Sequence, residues 1–207
     1  MAYNYKIKSS ASEDRLESLI TERIKPEADK KIIDERIWDL FGEEWAVMFT
    51  DLSGFSRGAA EFGIIHFLQI IFESQRLLIP TIEEYDGILL KMEGDSMLVI
   101  FRNIKKAIEC SISMQKVLSN YNKSKLDTDK VLLCVGLGFG KVLKIGDQDV
   151  FGAEVNAASK LGEDIAKSEE ILVTELVKEN SRNKYNFQKI DEIPPGAKSA
   201  YKLIYKL

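Results

Sequence analysis

Cysteine is almost missing from this sequence, with only Cys110 and Cys134 in 207 residues, each in a different apolar setting. Two such thiols and a single histidine, His66, assemble neither a disulfide framework nor a structural zinc site. A hydrolase triad would have to use that one histidine, which falls in an apolar helical stretch where packing or an interface is the simpler role. Long hydrophobic runs are missing too. The longest stretches without a charge, Phe62–Phe72 and Val131–Gly140, fall well short of the roughly 18 residues that a bilayer span requires. MAYNYKIKSS at the start holds no apolar run of the secretory kind, so a cytoplasmic chain with no membrane partner is expected. Nor is there a basic block: Lys+Arg number 29 against 33 Asp+Glu, a net charge of −4, which argues against a dedicated nucleic-acid binder that must neutralise phosphates.

What is present is an ordinary globular balance, 45% apolar and 30% charged, enough to build a core in one domain with a short appendage. The appendage is residues 1–43. A helix begins at the capping-box pattern Ser10-Ala11-Ser12-Glu13 and carries Leu16, Leu19, Ile20 and Ile24 until Lys25-Pro26 breaks it. A second helix is expected from Pro26, as first-turn proline, to Gly42, with Ala28, Ile33, Ile37, Leu40 and Phe41 along one side. Packing on the core is the simpler role for this pair, an exposed dimerising arm the sharper one.

From Glu44 the pattern alternates. Trp45–Phe49 reads as a buried strand ending at Thr50-Asp51, followed by a Ser/Gly-rich turn and a long helix to about Tyr85 that Pro80 kinks or splits. Gly87–Glu93 and Ser96–Phe101 form a hairpin through Gly94-Asp95, and Ile104–Leu118 is helical. Val131–Gly140 and Val142–Ile145 read as two strands, Val155–Ala166 as a helix, Ile171–Val173 as a strand, and Phe187–Ile190 with Ala200–Tyr205 as a closing pair. This is an α+β succession, βαββαβ, of the ferredoxin-like kind, with a helical arm in front and residues 44–207 as the main domain.

Asp51 closes a buried strand and Asp95 sits at a hairpin tip. Singly, each reads first as a turn former. Together on neighbouring strands they can hold one or two Mg²⁺ ions, while Leu52-Ser53-Gly54-Phe55-Ser56 can aim backbone N–H groups at phosphate. Asp149 precedes a helix on which Asn156 and Lys160, four apart, share a face. Gly136–Lys141, GLGFGK, is neither a P-loop nor a dinucleotide fingerprint, because Val135, Val142 and Leu143 stand where those motifs need glycine or a hydroxyl. These glycines mark a close-packed strand and a turn or bulge.

Taken in order, FTDLSGFS (Phe49–Ser56), KMEGDSMLVIF (Lys91–Phe101), VGLGFGKVLKIG (Val135–Gly146) and DVFGAEVNAASKL (Asp149–Leu161) resemble the signature blocks of class III nucleotidyl cyclases. The resemblance runs from about Trp45 to about Thr174. It implies a core sheet of the class III type and a reaction that turns a nucleoside triphosphate into a cyclic nucleotide and pyrophosphate. Position by position, Asp51 and Asp95 match the metal-binding aspartates for two Mg²⁺ or Mn²⁺ ions, and Leu52, Ser53, Gly54 and Phe55 the phosphate-cradling turn. Lys91 and Asp149 match the base-selecting pair, Asn156 the ribose-orienting asparagine, and Lys160 stands where the family usually has a transition-state arginine. The family's site lies between two chains, which implies a homodimer.

Adenine's edge offers an amino donor beside a ring-nitrogen acceptor, which Asp149 and Lys91 complement; guanine reverses the order. Adenylate cyclase is therefore the expected activity. The alternatives are a cyclase for another base, a pyrimidine before guanine because cytosine shares adenine's order, or a catalytically weak nucleotide-binding or regulatory module.

Overall fold

The computed structural model describes residues 10–53, 63–181 and 184–207. Two helices lead, α1 (Ala11–Arg23) and α2 (Lys30–Phe41). The Ser10 hydroxyl accepts the Glu13 N–H at 3.1 Å, as the capping box predicts. The second helix starts later than expected: the Asp29 carboxylate takes the Ile32 N–H and caps Lys30, leaving Pro26 in the preceding turn. Arg23 grips Asp34 through two hydrogen bonds and Arg36 pairs with Glu22, tying the helices together. Leu19, Ile33, Ile37 and Phe41 then bury against Ile145 in the main sheet.

Among the described residues the sheet has eight strands: β1 (Gly42–Leu52), β2 (Ile88–Glu93), β3 (Ser96–Phe101), β4 (Leu133–Ile145), β5 (Asp149–Phe151), β6 (Ile171–Thr174), β7 (Asn186–Ile190) and β8 (Ala200–Ile204). Their order is β2-β3-β1-β4-β6-β8-β7, with β5 paired to the far end of β4. The β2-β3-β1-β4 half is the expected ferredoxin-like arrangement, β1 running antiparallel to β3 on one side and β4 on the other. Helices α3 (Ile64–Glu84) and α4 (Ile104–Asn122) cover one face, over Ala46, Met48, Leu52, Val99 and Val135. The opposite face carries α5 (Ala153–Ser159), continued as a π-helical turn over Lys160–Ile165, on Trp45, Val47, Leu98 and Ile100. A last short helix, α6 (Glu175–Asn180), follows β6.

Three elements differ from expectation. α3 runs unsplit through Pro80 to Glu84. The two strands expected over 131–145 are one, with Gly140 absorbing a φ of +155° that other residues rarely adopt. The helix expected over 155–166 widens after Ser159 into the π turn. The GLGFG run has a plain use. A Cβ at Gly136 would lie 2.1 Å from the Ala158 carbonyl oxygen, and one at Gly138 would lie 2.3 Å from that of Glu154, so α5 rests backbone-to-backbone on β4. Gly136→Ala is expected to destabilise the fold by about 2–3 kcal/mol, measurable by urea denaturation. Thr50, fully buried on the α3/α4 face, leaves its hydroxyl without a partner among the described residues. Thr50→Val should therefore hold or raise stability, by about 1 kcal/mol, in the same assay.

Candidate active site

Alternation along β1 turns Asp51 to the face that α5 covers, beyond Trp45, Val47 and Phe49. The hairpin between β2 and β3 turns at Gly94-Asp95, with Gly94 at φ +63°, and brings Asp95 and Ser96 up to it. The Ser96 hydroxyl donates to Asp51 Oδ1 at 3.2 Å. Burial, and then the neighbouring Asp95 charge, push the Asp51 carboxyl up to about 6. Two neighbouring carboxylates, one of them bonded to a serine hydroxyl, are a site that a hard divalent cation would relieve. Among the described residues no third acidic, histidine or cysteine side chain joins them as a ligand set. That suits Mg²⁺, which takes one or two carboxylates and fills its shell with water and phosphate oxygens.

A second pair lies nearby. The register of β2 against β3 shifts between Leu89 and Lys91, so Leu90 and Lys91 turn to the same face: Leu90 packs into the apolar layer and Lys91 stands beside Asp149. Lys91 Nζ donates to Asp149 Oδ2 at 2.5 Å, and the Val150 N–H donates to Asp149 Oδ1 at 2.9 Å. The pair edges a pocket of about 130 Å³ with an apolar lining of Phe49, Leu98, Val150 and Val155, to which Ser96 and Glu163 also contribute. A flat ring inside it would meet an acceptor and a donor side by side.

The other expected site residues are placed less simply. Asn156 and Lys160 share an exposed face of α5 and its π turn, outside that pocket, and Lys160 pairs with Asp164 at 2.7 Å. Leu52 is buried as the last residue of β1. The Ser53 N–H, expected to face phosphate, instead donates to the Leu132 carbonyl at 2.8 Å, because the chain is still laced to the segment before β4. Gly54 and Phe55 lie outside the described residues. Ser96 and Glu163 escaped the sequence reading. Ser96 carried a signal, a hydroxyl directly after Asp95; Glu163 carried none, since the π turn that aims it breaks helical periodicity. Glu154, also missed, is a buried staple: it accepts the Phe139 N–H and the Thr174 hydroxyl, at 2.9 and 2.7 Å, and burial raises its pKa.

The sequence profile of the Adenylate and Guanylate cyclase catalytic domain matches residues 42–204. The chain belongs to this family. It is similar to the serine/threonine-protein kinase pkn2 of Myxococcus xanthus, with 30% identity over 131 residues, 63% of this chain and 16% of that protein. It is also similar to the putative adenylate cyclase 3 of Rhizobium meliloti, with 26% identity over 116 residues, 56% of this chain and 20% of that protein. It thus spans a fifth or less of the curated relatives it matches. The fold is that of the solved class III cyclases: the adenylyl cyclase CyaB from P. aeruginosa superposes with a TM-score of 0.65 at 18% identity, covering 80% of this chain and 96% of that one. Guanylyl cyclases superpose equally well. No helix among the described residues is long and apolar enough to cross a membrane.

Proposed function

We propose that this cyclase domain is an adenylate cyclase, forming 3′,5′-cyclic AMP and pyrophosphate from ATP in the cytoplasm, with residues 44–207 as the catalytic unit and 1–43 as its arm. The observation that carries the reading is the Lys91–Asp149 pair at the edge of an apolar pocket. Asp149 can accept from the adenine amino group while Lys91 donates to the neighbouring ring nitrogen. Guanine would set an N–H against the ammonium and a carbonyl against the carboxylate, the kind of mismatch a polar site rejects strongly. Phe49, Leu98 and Val150 supply the apolar walls.

Asp51 and Asp95 would hold Mg²⁺ or Mn²⁺, two ions per site, whose chemistry is to activate the ribose 3′-hydroxyl and neutralise the leaving pyrophosphate. No protein base stands in the scheme; water or a substrate phosphate takes the proton. Asn156 would orient the ribose and Lys160 neutralise a phosphoryl oxygen. Both are exposed and outside the Lys91–Asp149 pocket, which supports a homodimer in which the site is completed across the interface. The turn at Leu52, Ser53, Gly54 and Phe55 would receive phosphate once the Ser53 N–H is released from Leu132.

Lysine at 160 keeps the charge but lacks the planar fork of arginine, and Asp164 already occupies it. That favours, as a second reading, a catalytically weak nucleotide-binding module. Lys160→Arg is expected to raise kcat by roughly 3- to 30-fold with little change in KM, read from steady-state rates. The deciding experiment offers ATP, GTP, CTP and UTP to the purified protein with Mg²⁺ or Mn²⁺. Cyclic AMP is the expected product. A cyclic pyrimidine would keep the chemistry and overturn the base, and no product from a protein shown to be dimeric would favour the weak module.

A further inference from the structure

The base pocket has a far end. Lys91, Leu98, Phe49 and Gly136 are partners in register across β2, β3, β1 and β4, a row that spans three strand spacings, about 14 Å. Lys91 begins the row, Leu98 and Phe49 wall the pocket along it, and at Gly136 the π turn lies on the sheet. A Cβ at Gly162 would stand 2.7 Å from the Phe49 carbonyl oxygen and 2.8 Å from the Gly136 nitrogen, so the turn rests backbone-to-backbone on two strands. Glu163 follows directly, and its side chain lines the same pocket as Lys91 and Asp149. The Ser159 hydroxyl donates to Glu163 Oε2 and steadies it, while the carboxylate keeps further acceptor positions. After burial and Asp95, the Glu163 charge is a further cause that raises the Asp51 carboxyl, which puts Glu163 on the Asp51 side of the pocket.

We propose that Glu163 accepts a hydrogen bond from the ribose 2′-hydroxyl and so selects ribonucleotides over 2′-deoxynucleotides, an assignment that rests on the adenine reading above. An ionised carboxylate can only accept, and ATP offers N–H and O–H donors at its amino group and at its ribose. The amino group belongs to the edge that Lys91 and Asp149 grip, and a purine held there directs its glycosidic side along the row, toward the π turn. Of the ribose hydroxyls, the 3′ is the attacking group of the reaction proposed above, which leaves the 2′ for Glu163. A site built to bond a hydroxyl rejects the analogue that lacks it, because its acceptor then loses water without gaining a partner.

The test uses the full chain with Mg²⁺ and a pair of analogues that cannot cyclise, 3′-deoxy-ATP and 2′,3′-dideoxy-ATP, which differ only in the 2′-hydroxyl. Binding is followed by calorimetry. The unsubstituted protein should bind the first at least about tenfold more tightly, the worth of one charge-assisted hydrogen bond. Glu163→Ala, with an unchanged circular dichroism spectrum, should bind both equally. Glu163→Gln, which keeps an acceptor in a side chain of the same shape, should retain part of the preference. A residue that only braces the π turn would change both affinities by one factor and leave their ratio unmoved. Equal binding of the two analogues by the unsubstituted protein, or a preference that survives Glu163→Ala, overturns the assignment and leaves the adenine reading intact. The corresponding guanine analogues separate the two readings: if they bind more tightly than the adenine pair and Glu163 still governs their 2′ preference, the sugar contact stands and the base reading falls. Binding of none of these analogues overturns both.

Discussion

Asp51→Asn is expected to lower kcat with ATP by on the order of 10²–10³-fold, since it removes a charge placed to hold the cations that stabilise the reacting phosphates. Its effect on the fold should run the other way. The Asp51 carboxyl is held protonated up to about 6 by burial and by Asp95, so the metal-free protein binds this proton more tightly folded than unfolded. That contribution is complete below the ordinary aspartate range near pH 4 and is lost as pH rises through about 6. Thermal melts of the metal-free protein should accordingly show the unsubstituted chain losing stability from about pH 4 to 6. The Asp51→Asn variant should lose less across the same interval. Added Mg²⁺ should raise the melting temperature of the unsubstituted protein above pH 6 and leave that of the variant nearly unmoved. A variant that melts lower than its parent at pH 8 without metal would show Asp51 to be structural.

The second large effect is on the base. Exchanging the pair, Lys91→Glu with Asp149→Lys, keeps one ion pair in place but reverses the order of donor and acceptor presented to the pocket. The ratio of kcat/KM for GTP over ATP should rise at least about 100-fold, because each base now meets the polarity that the other met before. The single variants are the control. Either one sets like charges where the ion pair of 2.5 Å stood, so both nucleotides should be lost, and the double variant should recover activity beyond what the two losses predict. Recovery without a change of base preference would mean that the pair braces the pocket and does not read its contents.

The long alternating segments were legible in sequence because burial on two faces writes a regular pattern: β1, the β2–β3 hairpin and α4 fall where the residues place them, and β3 matches its predicted span residue for residue. Where a backbone hydrogen bond, and not side-chain character, decides, the pattern is silent. The cap at Asp29 overrode Pro26 as the start of α2; the glycines of β4 read as a close-packed strand and a turn or bulge, and they are closely packed, as the seat of α5, in a strand that runs on unbroken. For the site, Asp51 and Asp95 were recognisable from strand ends. Lys91 and Asp149 were paired through the family resemblance alone, since their approach depends on a bulge at Leu90 in a run, ILLK, whose polarity gives no sign of an extra residue. The bonding of the Ser53 N–H to Leu132 likewise follows from where β4 begins, far along the chain from β1.

Besides pairing with β1, β4 serves four neighbours along one unbroken run: Val135 to Leu137 pair with β6, Gly136 and Gly138 receive α5, and Leu143 to Ile145 pair with β5 while Ile145 also meets the helical arm. A residue gained or lost inside it would turn one of these sets to the wrong side of the sheet. In hereditary terms β4 can change its letters, glycines apart, but not its length. Insertions compatible with activity are confined to the turns that flank it, and the distance from the arm to Asp149 is passed on unaltered.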